Sequence, residues 1–272
     1  MVEVTIDPRL LAFYEEVEKI AKEHGAKVFT RIDIEDIAHA EPTTIGTLYI
    51  EINPLKVAEK VKEFRSAEEA REYARKLMNH EILHGTLGYK LYKFGLSYRK
   101  PLGIADIAMD LALAWEEVLI ETVYPMKEFS LMAKIVEREI ERLPRVVGEL
   151  RTAGRKKVKN EIVLLNGATA CYTYLRHAGY SVPPLLEQLR KICAEHHVEC
   201  LAETAEEVVK RGYDVIAIGK DMKEKRIPER EALRRFVAVV NDIIACWSRC
   251  LRECLSSHKS GLVELLRRRI IA

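Results

Sequence analysis

The stretch Asn79-His80-Glu81-Ile82-Leu83-His84-Gly85 constrains this chain more than any other. It reads H-E-x-x-H inside a helical pattern. Residues four apart share one face of a helix, so His80 and His84 can direct two imidazoles at one metal ion. Glu81 lies one step round, within reach of a water on that ion but not an obvious ligand. Two neutral nitrogen ligands, an open position for water and a carboxylate to take its proton are the parts of zinc-assisted hydrolysis. The local context supports a helix that is built rather than incidental. Ser66-Ala67-Glu68-Glu69 spells a capping box. Tyr73, Leu77, His80 and His84 then follow on one stripe, so the histidines continue a face that Tyr73 and Leu77 would bury.

What precedes this helix reads as one helix and a small sheet. Asp7-Pro8 opens the first helix and Gly25 stops it. Lys27 to Ile34 alternates as a strand, and Asp36 to Ala40 is a candidate second. Glu41 to Gly46 reads as a turn. Thr47 to Asn53 is a clear strand that Asn53-Pro54 ends. It is a candidate edge strand, to which an extended peptide could add by backbone hydrogen bonds, or equally an ordinary core strand.

A third ligand is sought in the apolar helix from Ile104 to Tyr124, which Pro125 ends. Asp106, Asp110, Glu117 and Glu121 stand on one stripe of that helix, and its other faces are apolar. Buried carboxylates are costly unless paired or bound to metal. One acid of the stripe would complete the zinc shell, and another would orient a ligand histidine from behind. A solvated stripe is the alternative. His39, His177 and Tyr124 are candidates for stabilising an oxyanion.

The order Ile50-Glu51-Ile52-Asn53-Pro54, then His80-Glu81-Ile82-Leu83-His84, then Ile107-Ala108-Met109-Asp110-Leu111-Ala112 resembles the metallopeptidase domains found beside von Willebrand A-type proteins in bacteria and archaea. It is also similar to the minimal archaeal gluzincins. The resemblance spans roughly Thr47 to Tyr124. It implies a zincin-type metallopeptidase with one zinc per chain, held by His80, His84 and Asp110, and with Glu81 as general base. Asp106 and Ala114 stand where the first family carries asparagines. A gluzincin-like site would prefer a glutamate as third ligand, with Glu117 next in line; Asp110, Glu117 and Glu121 all stay open for that place.

The chain has 272 residues, 48% of them hydrophobic, enough for one large domain or two small ones. The net charge of +2 gives no bias toward nucleic acid or membrane. No apolar run has the length of a membrane span, and Met1 to Asp7 lacks the pattern of a signal peptide. A cytoplasmic protein is expected. Charged residues make up 32% of the chain and Gln188 is the only glutamine, a balance that suggests a thermophile. The six cysteines fall as Cys171, Cys193, Cys200 and Cys246, Cys250, Cys254, and in such a source disulfides between them are an open option. Cys193, His196, His197 and Cys200 could be read as a second metal site.

The expected fold is α+β, mainly α: a zincin-like core over 1–144 and a helical region over 145–272. Within the second part, Met126 to Arg142 reads as a helix closed by Pro144, Thr204 and Glu207 as a capping box, and Asp214 to Ile218 as a short strand. A long helix is expected from Pro228 to about Cys254 and a last one from Gly261. The expected activity is zinc-dependent hydrolysis of a peptide or protein substrate. The alternative is an inactive zincin-like scaffold whose basic run, Arg151 to Lys159, contacts nucleic acid or a partner protein.

Overall fold

A computed structural model of the chain describes residues 6–42, 47–90, 106–127, 129–150 and 155–270, without the side chains of 41, 42, 88–90, 150, 155 and 254–270. The chain divides into two compact units, Met1–Lys93 with Val123–Met126 and Phe94–Thr122 with Lys127–Ala272. Residue 144 lies within a helix of the second unit. Of the turn expected over Glu41 to Gly46, Glu41 and Pro42 end a strand and 43–46 lie outside the described residues, as do the loop at 101–103 and Arg151. The architecture is mainly α with one small sheet, as the sequence pattern implies. Among the described residues no helix is long and apolar enough to cross a membrane.

The first unit begins with α1 (Pro8–His24). Its N-cap Asp7 accepts a hydrogen bond from the Arg9 N–H at 2.9 Å, and Gly25 closes the helix at a φ of +65°. Strands β1 (Lys27–Thr30), β2 (Ala38–Pro42) and β3 (Leu48–Ile52) form the sheet, followed by α2 (Pro54–Val61) and α3 (Ala67–Lys90). Helix α3 packs against α1, β2 and β3. Phe13, Val17, Ile50, Ile52, Val57 and Met78 are the centre of the core. Asn53 fixes the corner between sheet and helices. Its Oδ1 caps α2 by accepting from the Leu55 and Lys56 N–H groups, and its Nδ2 donates to the Ile32 and Ile34 carbonyls at 3.2 and 3.1 Å. This buried amide satisfies both ends of itself and ties the 31–37 loop to the sheet.

The sheet order is β1-β3-β2, with β3 parallel to β1 and antiparallel to β2. Of the two roles open to Thr47–Asn53, the core strand is therefore the one adopted. Both edges of β3 are hydrogen-bonded, and Ile50 and Ile52 are fully buried. The outer edge beside α3 belongs to β2. The Asn53 N–H donates to the Ile37 carbonyl, so 37 and 39 face β3. By alternation, Ala38 and Ala40 turn their backbone N–H and C=O the other way.

The second unit is helical: α4 (Ala108–Val123), α5 (Phe129–Leu150), α6 (Arg155–His177), α7 (Leu185–His196), α8 (Glu199–Lys223) and α9 (Glu229–Ile270). Several boundaries differ from those the sequence suggests. Pro144 lies within α5 and does not close it. A proline in a helix interior costs about 3 kcal/mol; burial of Leu143, Val146 and Val147 on either side offsets this. Asp214 to Ile218 is not a strand but part of α8, where Val215, Ile216 and Ile218 are buried at helical spacing. Thr204 is likewise interior to α8 and caps nothing. Gly261 starts no new helix, because α9 is continuous through it.

One buried amide joins three of these helices. Asn166 of α6 accepts from the indole N–H of Trp115 in α4 at 2.9 Å and of Trp247 in α9 at 2.8 Å. Its Nδ2 donates to the Leu111 carbonyl at 3.0 Å. Asn166 and both indoles are fully buried. Gly212 of α8 gives Trp115 its space, since a Cβ there would lie 2.4 Å from the ring. Replacing Asn166 by leucine orphans two buried N–H donors at once. Thermal or urea unfolding should show a loss of about 2–5 kcal/mol; an unchanged midpoint would contradict this role.

Candidate metal centre

Helix α3 starts as its sequence spells. Ser66 Oγ accepts from the Glu69 N–H at 3.2 Å, and the Glu69 carboxylate reaches back to the Arg65 N–H at 2.6 Å. Without Pro or an internal cap, the helix runs on through both histidines. Leu77, Met78, His80, Glu81 and Leu83 are buried, and Tyr73 and His84 are half-buried. The face expected from Tyr73, Leu77, His80 and His84 is therefore the one turned inward. The Tyr73 hydroxyl is pushed up to about 12, first by burial and then by the carboxylates of Glu63 and Glu81.

The two imidazoles meet at 4.8 Å between ring centroids, and their Nε2 atoms are 3.2 Å apart. Two nitrogens bound to one tetrahedral zinc at about 2.0–2.1 Å would be separated by about 3.3 Å. The pair is therefore spaced for one ion. The other nitrogen of His80 settles its tautomer. His80 Nδ1 lies 3.1 Å from the backbone carbonyl of Tyr124. A carbonyl only accepts, so Nδ1 carries the proton and Nε2 offers its lone pair toward His84. Two lone pairs cannot face each other at this distance. Either a proton on one of the two Nε2 atoms or a cation must lie between them.

The acids of the second unit do not form one uniform stripe. Asp106 precedes α4, is 63% exposed and pairs with Lys159 Nζ at 2.5 Å. Asp110 is exposed in the first turn of the helix. Glu116 and Glu121 are buried. Glu117 is half-buried, with Lys127 Nζ 3.1 Å from its Oε1. Asp110 stands two turns, about 10 Å, along the helix from Glu117, so the two cannot serve as alternatives at one point. Within the first unit, His80 and His84 are two donors spaced for one ion, and within the second Glu117 is the half-buried acid of α4. Among the described residues, Cys193, His196, His197 and Cys200 do not form a group that could hold a metal ion.

The remaining sequence candidates are dispersed. His39 is exposed on β2, and His177 ends α6, its imidazole lowered by burial and by Lys220. Tyr124 matters through its backbone, which residue type does not reveal. Cys171 and Cys246 are free thiols, both pushed up to about 11 chiefly by burial. The basic run is partly neutralised within its own unit, because Lys157 pairs with Glu149 and the buried Lys159 with Asp106. Comparison with family models, curated proteins and solved structures returned no match.

Gly85, beside His84, shows how closely the helix lies on the sheet. A Cβ on it would fall 2.0 Å from Leu48 Cδ1 of β3. Glycine inside a helix costs roughly 1 kcal/mol against alanine, and this close approach accounts for its place here. Gly85→Ala should lower stability by about 1–3 kcal/mol through overpacking. Adding Leu48→Ala should recover part of the loss in a double-mutant cycle read by chemical unfolding. Strict additivity of the two changes would show that they do not share this space.

Proposed function

We propose that this chain is a zinc-dependent peptidase whose centre is the His80-Glu81-Ile82-Leu83-His84 turn of α3. The observation that carries this reading is the 3.2 Å approach of two Nε2 atoms, one with its tautomer set from behind by the Tyr124 carbonyl. The donors fit zinc: two imidazole nitrogens on one helix face, with the other places of a tetrahedral shell left for a carboxylate and a water. His80 and His84 supply the nitrogens.

Zinc held by this set would polarise a peptide carbonyl and make water acidic enough to react near neutral pH. The remaining work belongs to the chain. Glu81, buried and adjacent in sequence to His80, accepts the proton of the attacking water and returns it to the departing amine nitrogen. Its burial keeps the carboxylate away from bulk water. An extended substrate would pair along the outer edge of β2, where Ala38 and Ala40 direct their backbone groups away from β3. The small, buried alanine side chains keep that edge low.

Replacing Glu81 by glutamine separates binding from turnover. Zinc content should stay at the parent value, while cleavage of a peptide library falls by about 10²–10⁴-fold. Cleavage by the Gln variant at the parent rate would remove Glu81 from the mechanism, and parent activity that survives a strong chelator would remove the metal.

A further inference from the structure

We propose that Glu121 is a positioning residue: its carboxylate closes the turn after α4 and so holds the backbone carbonyl that orients His80. The proposal rests on the zinc reading for its purpose, but the contacts stand without it. Glu121 lies in the last turn of α4 and is 1% exposed. An acid is doubly disfavoured there. Burial penalises its charge, and the negative end of the helix dipole repels it. Such a residue needs a specific partner, and it has one. Both of its oxygens lie 3.2 Å from the backbone N–H of Lys127, which donates to them.

That bond makes a closed turn of residues 121–127. The main chain at its start is pinned separately, because Tyr174 Oη of α6 donates to the Glu121 carbonyl at 3.0 Å. Inside the turn, Pro125 fixes its own φ and restricts Tyr124 before it to extended backbone. The Tyr124 carbonyl then meets His80 Nδ1 at 3.1 Å. The residue that ends the turn also acts through its side chain, since Lys127 Nζ lies 3.1 Å from Glu117 Oε1. One short turn thus sets the tautomer of one proposed ligand and pairs with the half-buried Glu117 of α4. The three acids that the sequence leaves open stand in different surroundings: Asp110 is exposed, Glu117 pairs with Lys127 and Glu121 holds the turn.

The test compares Glu121→Gln, which keeps an acceptor oxygen, with Glu121→Leu, which removes it. Two readouts are used: the ring ¹⁵N shifts of His80 in metal-free protein, and zinc affinity by competition with a chromophoric chelator. In Glu121→Leu the His80 signal should move from the single Nδ1–H tautomer toward a mixture, and zinc affinity should fall about 10–100-fold. Glu121→Gln should stay near the parent in both. A Leu variant with the parent's tautomer and affinity overturns the proposal. A parent protein that binds no zinc overturns the peptidase reading instead, and the tautomer comparison still decides the role of the turn. Should the Leu variant not fold, amide exchange at Lys127 of the unaltered protein decides. Protection of at least about tenfold is expected, and exchange at the unprotected rate overturns the proposal.

Discussion

The close approach of two imidazole nitrogens on one helix face is the constraint on which the rest of this structure depends. At 3.2 Å, His80 Nε2 and His84 Nε2 need something positive between them. The Tyr124 carbonyl keeps a proton on the far nitrogen of His80, so in the neutral ring Nε2 carries a lone pair. A proton on one of the two Nε2 atoms satisfies the arrangement as an N–H···N hydrogen bond. A divalent cation would satisfy it with both lone pairs. This is a chemical demand of the side chains themselves and does not rest on likeness to any other protein.

The fold meets that demand by holding α3 rigidly. Met78 is fully buried, and Gly85 lets the helix lie against Leu48 of β3. On the other side, Glu16 of α1 is 6% exposed and accepts from Arg75 Nε at 3.0 Å. This contact crosses between helices, so it resists rotation of α3 about its own axis, the motion that would separate the histidines from their partners. In the second unit, the Asn166 amide performs the comparable service for α4, the helix that carries Glu116, Glu117 and Glu121.

Much of this is legible in the chain because it is local. The spacing of His80 and His84, the Ser66–Glu69 cap, the Asn53-Pro54 stop and the alternation of Leu48, Ile50 and Ile52 each depend on residues within a few positions. What could not be read depends on distant partners. The place of β3 in the middle of the sheet follows from which strands flank it, and alternation is the same at centre and edge. Pro144 and Asp214–Ile218 mislead because tertiary burial outweighs local preference. The acids of α4 share a stripe in sequence, but exposure grades along the helix from Asp110 to Glu121. The Tyr124 carbonyl leaves no trace in residue type, since every residue has one.

The most direct test of the account is metal content. Purified protein, stripped and then reloaded with zinc, is compared with His84→Ala by elemental analysis. The account predicts one zinc per chain in the parent and its loss in the variant, with the fold retained by circular dichroism. Parent protein that takes up no zinc after reloading, or a variant that holds as much as the parent, would contradict it.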